Sequence, residues 1–447
     1  MDRGEDSAPG RSRFLVRAAG AGLATFVFLA AFEIALRALP QAVPLDLLEY
    51  FAPGPRSAIA ARRQLTRRED TTLLPRDDGG PQERMWIHQP RREVTHHYEE
   101  PHLVKTIRVD DQGFCNPVAD AYETTERFDL IAIGDSFTFC TTVDPADTWP
   151  IYTGEQLDLS VYNLAMPGRG LYEYLQILEQ RGLAKSPRYV AMNIYEGNDL
   201  RDAYKFHVAR DTDGSETAAP PCPFESDRFC SSVLAMREGR PGRSSYAFNF
   251  LQAALWHLAV QSNKREIDFK YEVTLADGSK VGMNSRNGDR EEVEFARMLV
   301  SGAIGPSLFD EALERFMDLS REHGFVPLVL YTPSAYTAYA RISRFDDEAI
   351  GQTMRAYSDA LREYFASRAP QLGYHYDDVT PHLIEAASRS TQDELVYFRT
   401  NVHLTPAGHR VVADRLAGMI EPLEAAARGA AATGKPAVVG ADAPDTP

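Results

Sequence analysis

The chain has fewer cations than anions, little cysteine and no long uninterrupted apolar run. It carries 48 Lys plus Arg against 64 Asp plus Glu, a formal net charge of −16. Nucleic acid draws its affinity largely from cationic contacts to phosphate, so this balance argues against a DNA- or RNA-binding role. No internal repeat is evident, which argues against solenoids and propellers. The one cluster of metal-ligand types, His96, His97, Glu99, Glu100 and His102, lacks a zinc spacing and reads as a solvated loop. The longest uncharged apolar stretch covers residues 18–32, short of the roughly 20 residues that a spanning helix needs, unless Glu33 sits at an interface and Ile34 to Leu39 extend it.

Arg11, Arg13 and Arg17 precede that stretch, the pattern of a signal anchor or a cleaved signal peptide. The anchor is preferred, because the segment Ala35-Leu36-Arg37 offers no small-x-small cleavage site. By the positive-inside rule the arginines stay cytoplasmic and the rest is exported. The expectation is a single-pass cell-membrane protein with its domain on the periplasmic or extracytoplasmic side, or a secreted one if the helix is removed. The 4 cysteines suit that compartment: Cys115 with Cys140 and Cys222 with Cys230 are candidate pairs, or all are free thiols.

With 44% hydrophobic residues in 447, there is ample material for one large domain. The chain reads as a basic tail (1–17), a signal anchor (18–39), a stem and edge-strand segment (40–112), a main domain (113–427) and a disordered tail (428–447). In the main domain, apolar runs of strand type alternate with amphipathic helices, the pattern of a parallel α/β sheet. The strand candidates are Leu130–Ile133, Val161–Leu164, Tyr189–Ile194, Val326–Tyr331 and Tyr374–Tyr376. An edge strand is expected at Val104–Val109. Helices are expected at 171–183, at 352–366 and after Thr405, which suits an N-cap with Pro406 in the first turn. An insertion at about 203–305 is too long for an ordinary connection and holds a hairpin around Tyr271–Gly278. Phe248, Phe250, Leu251, Leu255 and Trp256 within it read as helix packing or as the lining of an acyl groove.

Four motifs fall in order after successive strands: Gly134-Asp135-Ser136, Asn163-Leu-Ala-Met-Pro-Gly168, Gly197-Asn198-Asp199 and His403-Leu-Thr-Pro-Ala-Gly408. A serine hydroxyl becomes a nucleophile when an imidazole takes its proton. A tetrahedral acyl intermediate needs donors aimed at its negative oxygen. In these motifs the chain resembles the SGNH, or GDSL, hydrolases over about residues 113–425. The resemblance implies a flavodoxin-like three-layer sandwich with a parallel sheet of about five strands. It implies Ser136 as nucleophile, His403 as base, and an oxyanion hole from Ser136, Gly168 and Asn198, with no metal or organic cofactor. His409 reads as a helix-surface residue.

Members of that family usually carry an aspartate two or three residues before the histidine, where this chain has Thr400 and Asn401. Asn401 through its amide oxygen is the first candidate to orient the ring. Asp377 or Asp378 and a backbone carbonyl are the others. The resulting expectation is a serine esterase or O-acyltransferase acting on acylated, O-acetylated envelope or exported glycans. The alternatives are a catalytically silent glycan-binding or assembly protein and a lipid esterase or thioesterase.

Overall fold

The computed structural model describes residues 9–38, 71–74, 85–97, 104–117, 124–211, 269–285 and 291–433. The chain divides into two compact units, Met1–Glu69 with Cys222–Glu266, and Asp70–Pro221 with Ile267–Pro447. In the first, α1 (Pro9–Ala38) covers the apolar stretch and leaves Leu23, Phe26, Phe28 and Ile34 exposed. Among the described residues no helix is long and apolar enough to cross a membrane. Cys222, Cys230 and the residues suggested for an acyl groove lie outside the described residues.

The second unit opens with two antiparallel pairs, β1 (Thr71–Leu74) with β2 (Met85–His88), and β3 (Glu93–His97) with β4 (Val104–Arg108). The sequence continues through β5 (Leu130–Ile133), α2 (Trp149–Leu157), β6 (Val161–Asn163), α3 (Leu171–Ile177), β7 (Tyr189–Tyr195) and α4 (Asp199–Asp211). Next come β8 (Phe269–Thr274), β9 (Lys280–Ser285), α5 (Glu291–Val300), α6 (Asp310–His323), β10 (Val326–Thr332) and the single turn α7 (Ala335–Ala338). The chain then forms β11 (Ser343–Phe345), α8 (Glu348–Leu372), β12 (His375–Asp378), α9 (Thr380–Ser388) and α10 (Pro406–Thr433).

The central sheet has the order β12-β10-β7-β5-β6, with every neighbouring pair parallel. Every residue of β5 and β7 is buried, so both faces of the sheet are covered; strands of this kind read as unbroken apolar runs. Among the helices, α2 packs with α10, α6 with α3 and α8, and α5 with α8. Counted along the chain, the five strands lie 2-1-3-4-5, the flavodoxin-like order. The connections leaving β5 and β7 therefore diverge, and a crevice opens at their carboxyl ends.

All five strand expectations fall on strands, each within two residues of its ends. The stripe Leu171, Tyr174, Leu175 and Leu178 is buried as expected, but α3 gives way to a wide turn at Leu178–Gly182. The hairpin of the insertion is β8 with β9, and β11, from beyond α6, adds to it as a third strand. The boundary at 112 does not separate the edge strand from the main domain: Ile107 and Val109 share a buried cluster with Cys115, Phe139, Cys140 and Val143. Helix α10 runs to Thr433, well into the segment expected to be disordered. Thr405 caps it, its Oγ1 accepting the Gly408 N–H at 3.3 Å, a contact typically worth about 1 kcal/mol.

Candidate active site

Ser136 follows β5, Gly168 follows β6 and Asn198 follows β7, so three of the expected residues stand at the carboxyl edge of the sheet, beside the crevice. The turn carrying Ser136 is tightly wound: the Phe137 N–H donates to Asp135 Oδ1 at 2.8 Å, and the Phe139 N–H to Asp135 O at 2.9 Å. Buried amides brace it from below. Asn163 Nδ2 donates to Thr138 O at 2.7 Å, and Asn193 Nδ2 to Thr138 Oγ1 at 3.2 Å. Thr332 Oγ1 in turn donates to Asn193 Oδ1 at 2.7 Å, tying the turn to β10. The Cys115–Cys140 disulfide joins the incoming segment to the far side of the same turn. Ser136 itself is half-buried.

The Phe137 ring lies between two partners. It stacks on His403 with centroids 4.7 Å apart and on Tyr195 at 3.4 Å. His403, from the loop before α10, is thereby held against the residue next to Ser136. Thr142 Oγ1 donates to Leu404 O at 3.4 Å, a second link between the two segments.

Asn401 Oδ1 accepts the His403 main-chain N–H at 3.1 Å and also meets the ring at Nδ1. A main-chain N–H only donates, so the atom it reaches is the amide oxygen. The ring nitrogen facing that oxygen must then carry a proton, which leaves Nε2 as the basic nitrogen. The other proposed orienters are engaged elsewhere. Asp377 is gripped by Arg415 through two contacts of 2.8 and 2.9 Å, and Asp378 binds Arg362 Nε at 2.6 Å.

Gly168 has φ +67 and is exposed, and no heavy atom lies within 4 Å of the position a Cβ would take. The left-handed backbone favours glycine there. Asn198 is 8% exposed and its side-chain amide faces the Asp135 carboxyl. The next residue, Asp199, is wholly buried, accepting the Tyr174 hydroxyl at 2.6 Å and the Tyr195 N–H at 2.7 Å.

His409 is not on the surface. It is 2% exposed, and its Nδ1 accepts the Trp149 N–H at 3.2 Å, at the first turn of α2. Burial, helped by the nearby charge of His403, pushes its pKa down to about 3, so it stays neutral. The i to i+3 and i+4 spacing toward the interior at Val412 and Ala413 was the available signal for its inward position. Glu292 of α5 is 1% exposed and was not anticipated. Its Oε1 accepts the Tyr195 hydroxyl at 2.7 Å and lies 2.2 Å from where a Cβ on Gly197 would sit, so only glycine fits beside it. Asn163 and Asn193, amides within apolar strands, were the visible hint that the floor of this site is polar.

His96 and His97 stand on β3, while Glu99, Glu100 and His102 lie outside the described residues. Among the described residues no group of three or more His, Cys, Asp or Glu side chains is placed to hold a metal ion.

No protein-family model and no curated protein matches the chain. Similar solved structures include TesA, with 10% identity over 66% of this chain and 98% of that one and a TM-score of 0.34. An extracellular lipase from Streptomyces rimosus is 13% identical over 65% and 98%, with a TM-score of 0.35. The acetyl xylan esterase AlAXEase is also 13% identical over 65% and 98%, with a TM-score of 0.32. At these identities and scores the chemistry of the site rests on its own residues. With five parallel strands in 2-1-3-4-5 order and its motifs at the strand ends, the chain has the fold that its resemblance to the SGNH/GDSL hydrolases implies.

Proposed function

We propose that the protein is a serine esterase or acyltransferase that works through an acyl-enzyme on Ser136. The observation that carries this reading is the Asn401–His403 pair, which fixes the imidazole with Nδ1 protonated and Nε2 as its basic nitrogen, on a ring stacked against Phe137. In the reaction, His403 Nε2 takes the Ser136 proton as Oγ attacks the ester carbonyl. The tetrahedral oxygen is met by the main-chain N–H groups of Ser136 and Gly168 and by the Asn198 amide. Collapse expels the alcohol, which takes the proton back from His403, and water or a second hydroxyl then removes the acyl group. Hydrolysis and transfer differ only in that acceptor.

The substrate class proposed is an acylated, O-acetylated glycan outside the cytoplasm. Support for an extracytoplasmic setting is the Cys115–Cys140 disulfide, a bond that persists in oxidising compartments, together with the arginines ahead of the apolar stretch of α1. The proposed tether or export signal is α1 itself. The test of the central reading is intact-mass analysis of the full chain after treatment with a serine-directed fluorophosphonate, beside Ser136→Ala. One adduct, lost in the variant, is expected. A folded protein that takes no adduct would leave the fold as a binding module.

A further inference from the structure

The Asn401 amide oxygen fixes the tautomer of His403 but is neutral, whereas the proposed reaction turns the ring into an imidazolium each time Ser136 gives up its proton. The group laid against that ring is Phe137, the residue after the nucleophile. Its ring stacks on the imidazole with centroids 4.7 Å apart and planes 26° from parallel. A cation over the face of an aromatic ring within about 6 Å of the centroid is attracted by the negative face, and more strongly where water is kept away. Phe137 is 2% exposed, so little water intervenes.

The other face of Phe137 is covered by Tyr195, with centroids 3.4 Å apart and planes 16° from parallel. Two neutral rings prefer an offset or edge-on meeting, because face to face their negative faces oppose. A positive charge on the outer face of Phe137 relieves that opposition. The Tyr195 hydroxyl donates to Glu292 Oε1 at 2.7 Å, a buried contact that polarises the hydroxyl and enriches its ring in electrons. Both rings are also fixed through the main chain: the Phe137 N–H donates to Asp135 Oδ1 at 2.8 Å and the Tyr195 N–H to Asp199 Oδ2 at 2.7 Å.

We propose that Phe137 is a positioning residue of the reaction, its ring face, backed by Tyr195, stabilising the imidazolium of His403 in place of a carboxylate before the histidine. This rests on the proposed reading of His403 as the base. Phe137 takes no proton and acts only through His403; the proton still passes from Ser136 to Nε2 and on to the leaving alcohol.

Titratable groups around the stack come from the nucleophile turn, α5 and α10. Asp135, in the turn, is raised by burial to about 7. Glu292 of α5 stands behind Tyr195. His409 of α10, which feels the charge of His403, is pushed down to about 3 by burial and stays neutral where His403 works. A change confined to the electrons of the Phe137 ring leaves all three in place, so it isolates the stack.

The experiment replaces Phe137 in the full chain by mono-, di- and trifluorophenylalanine, which keep the shape of the ring while draining its negative face step by step. A thermal scan confirms folding of each protein. The pKa of His403 is read by NMR titration of carbon-labelled histidine, with His403→Gln to assign the signal. It is expected to fall stepwise, by about one unit across the series. For p-nitrophenyl acetate, kcat is expected to fall on the order of 3-fold with KM little changed, and the acid limb of the pH–rate profile to move down with the pKa of the base. A ring that only packs against His403 would move neither. A flat pKa across the folded series, or a falling pKa with an unmoved rate and acid limb, overturns the proposal. If trifluorophenylalanine does not fold, the first two members still supply the slope. If the wild type hydrolyses no ester and takes no fluorophosphonate, the esterase reading fails separately, and the titration still decides whether Phe137 stabilises charge on His403.

Discussion

Asn401 is where this site departs from the family it resembles, and its geometry determines what the departure costs. The amide oxygen reaches both the main-chain N–H and the ring of His403, so it fixes the tautomer as a carboxylate would. What it lacks is charge: a neutral oxygen does little to stabilise the imidazolium that forms when His403 takes the serine proton. In a serine protease, changing the orienting aspartate to asparagine lowers kcat by about 10⁴, partly through the wrong tautomer. Here the tautomer is already correct, so only the electrostatic share remains to be gained. Asn401→Asp is accordingly expected to raise kcat for an activated ester on the order of 10-fold, with KM unchanged, while Asn401→Ala lowers it on the order of 100-fold. Steady-state kinetics on the wild type and the two variants checks both. A flat response to Asn401→Asp and to Asn401→Ala alike would show that His403 is oriented by something else.

Elements were more legible in the sequence than the contacts between them. The strands of the central sheet announce themselves as apolar runs, because a parallel strand covered on both faces leaves few polar positions. The positions of Ser136, Gly168, Asn198 and His403 in the fold were legible because each follows a strand or precedes a helix at a motif. The pairing of β11 with β8 was not, since it joins segments about 70 residues apart with no local signal. The junction of α10 with α2 was missed for a similar reason: nothing near His409 in sequence shows that Trp149 will donate to it. That junction carries a pH dependence. His409 has a pKa of about 3 in the folded protein against an ordinary value of 6.5. Between those values the unfolded chain binds a proton that the folded one refuses. The contribution of His409 to stability is therefore whole above about pH 6.5 and declines as pH falls, by about 1.4 kcal/mol per unit. Asp135, raised to about 7, works in the opposite sense, losing stability as pH rises through the interval from its ordinary value. Comparison of wild type with His409→Asn isolates the histidine, because Asn Oδ1 can accept the Trp149 N–H without titrating. Urea unfolding from about pH 7.5 down to about 4.5 is expected to show a shallower acid loss in the variant. Parallel pH slopes would mean that His409 is accessible to protons in the fold.

For the whole molecule, the placement of the disulfide and the character of the N-terminal segment bear on one question, the compartment in which the domain folds. Cys115 and Cys140 are separated by 25 residues and close a loop around the incoming segment and the nucleophile turn. A loop of that size stabilises by about 3 kcal/mol in the chain-entropy model, and in a reducing cytosol that contribution is withheld from the segment bearing Ser136. Arg11, Arg13 and Arg17 precede the exposed apolar residues of α1, the charge order that keeps a leading tail inside and sends the later part of the chain across. If export is the arrangement, the full chain expressed in a bacterium will resist thiol alkylation at Cys115 and Cys140. A version lacking residues 1–39 will be alkylated at both and melt about 5 °C or more lower. Peptide mapping of blocked thiols and a thermal scan of each protein provide the measurement. Fractionation then separates the two forms of export: a retained helix leaves the chain in carbonate-washed membranes at full mass, whereas a cleaved one releases a shortened soluble protein. Ready alkylation of both cysteines in the full chain would place the domain in the cytosol and remove the exported glycan from its candidate substrates.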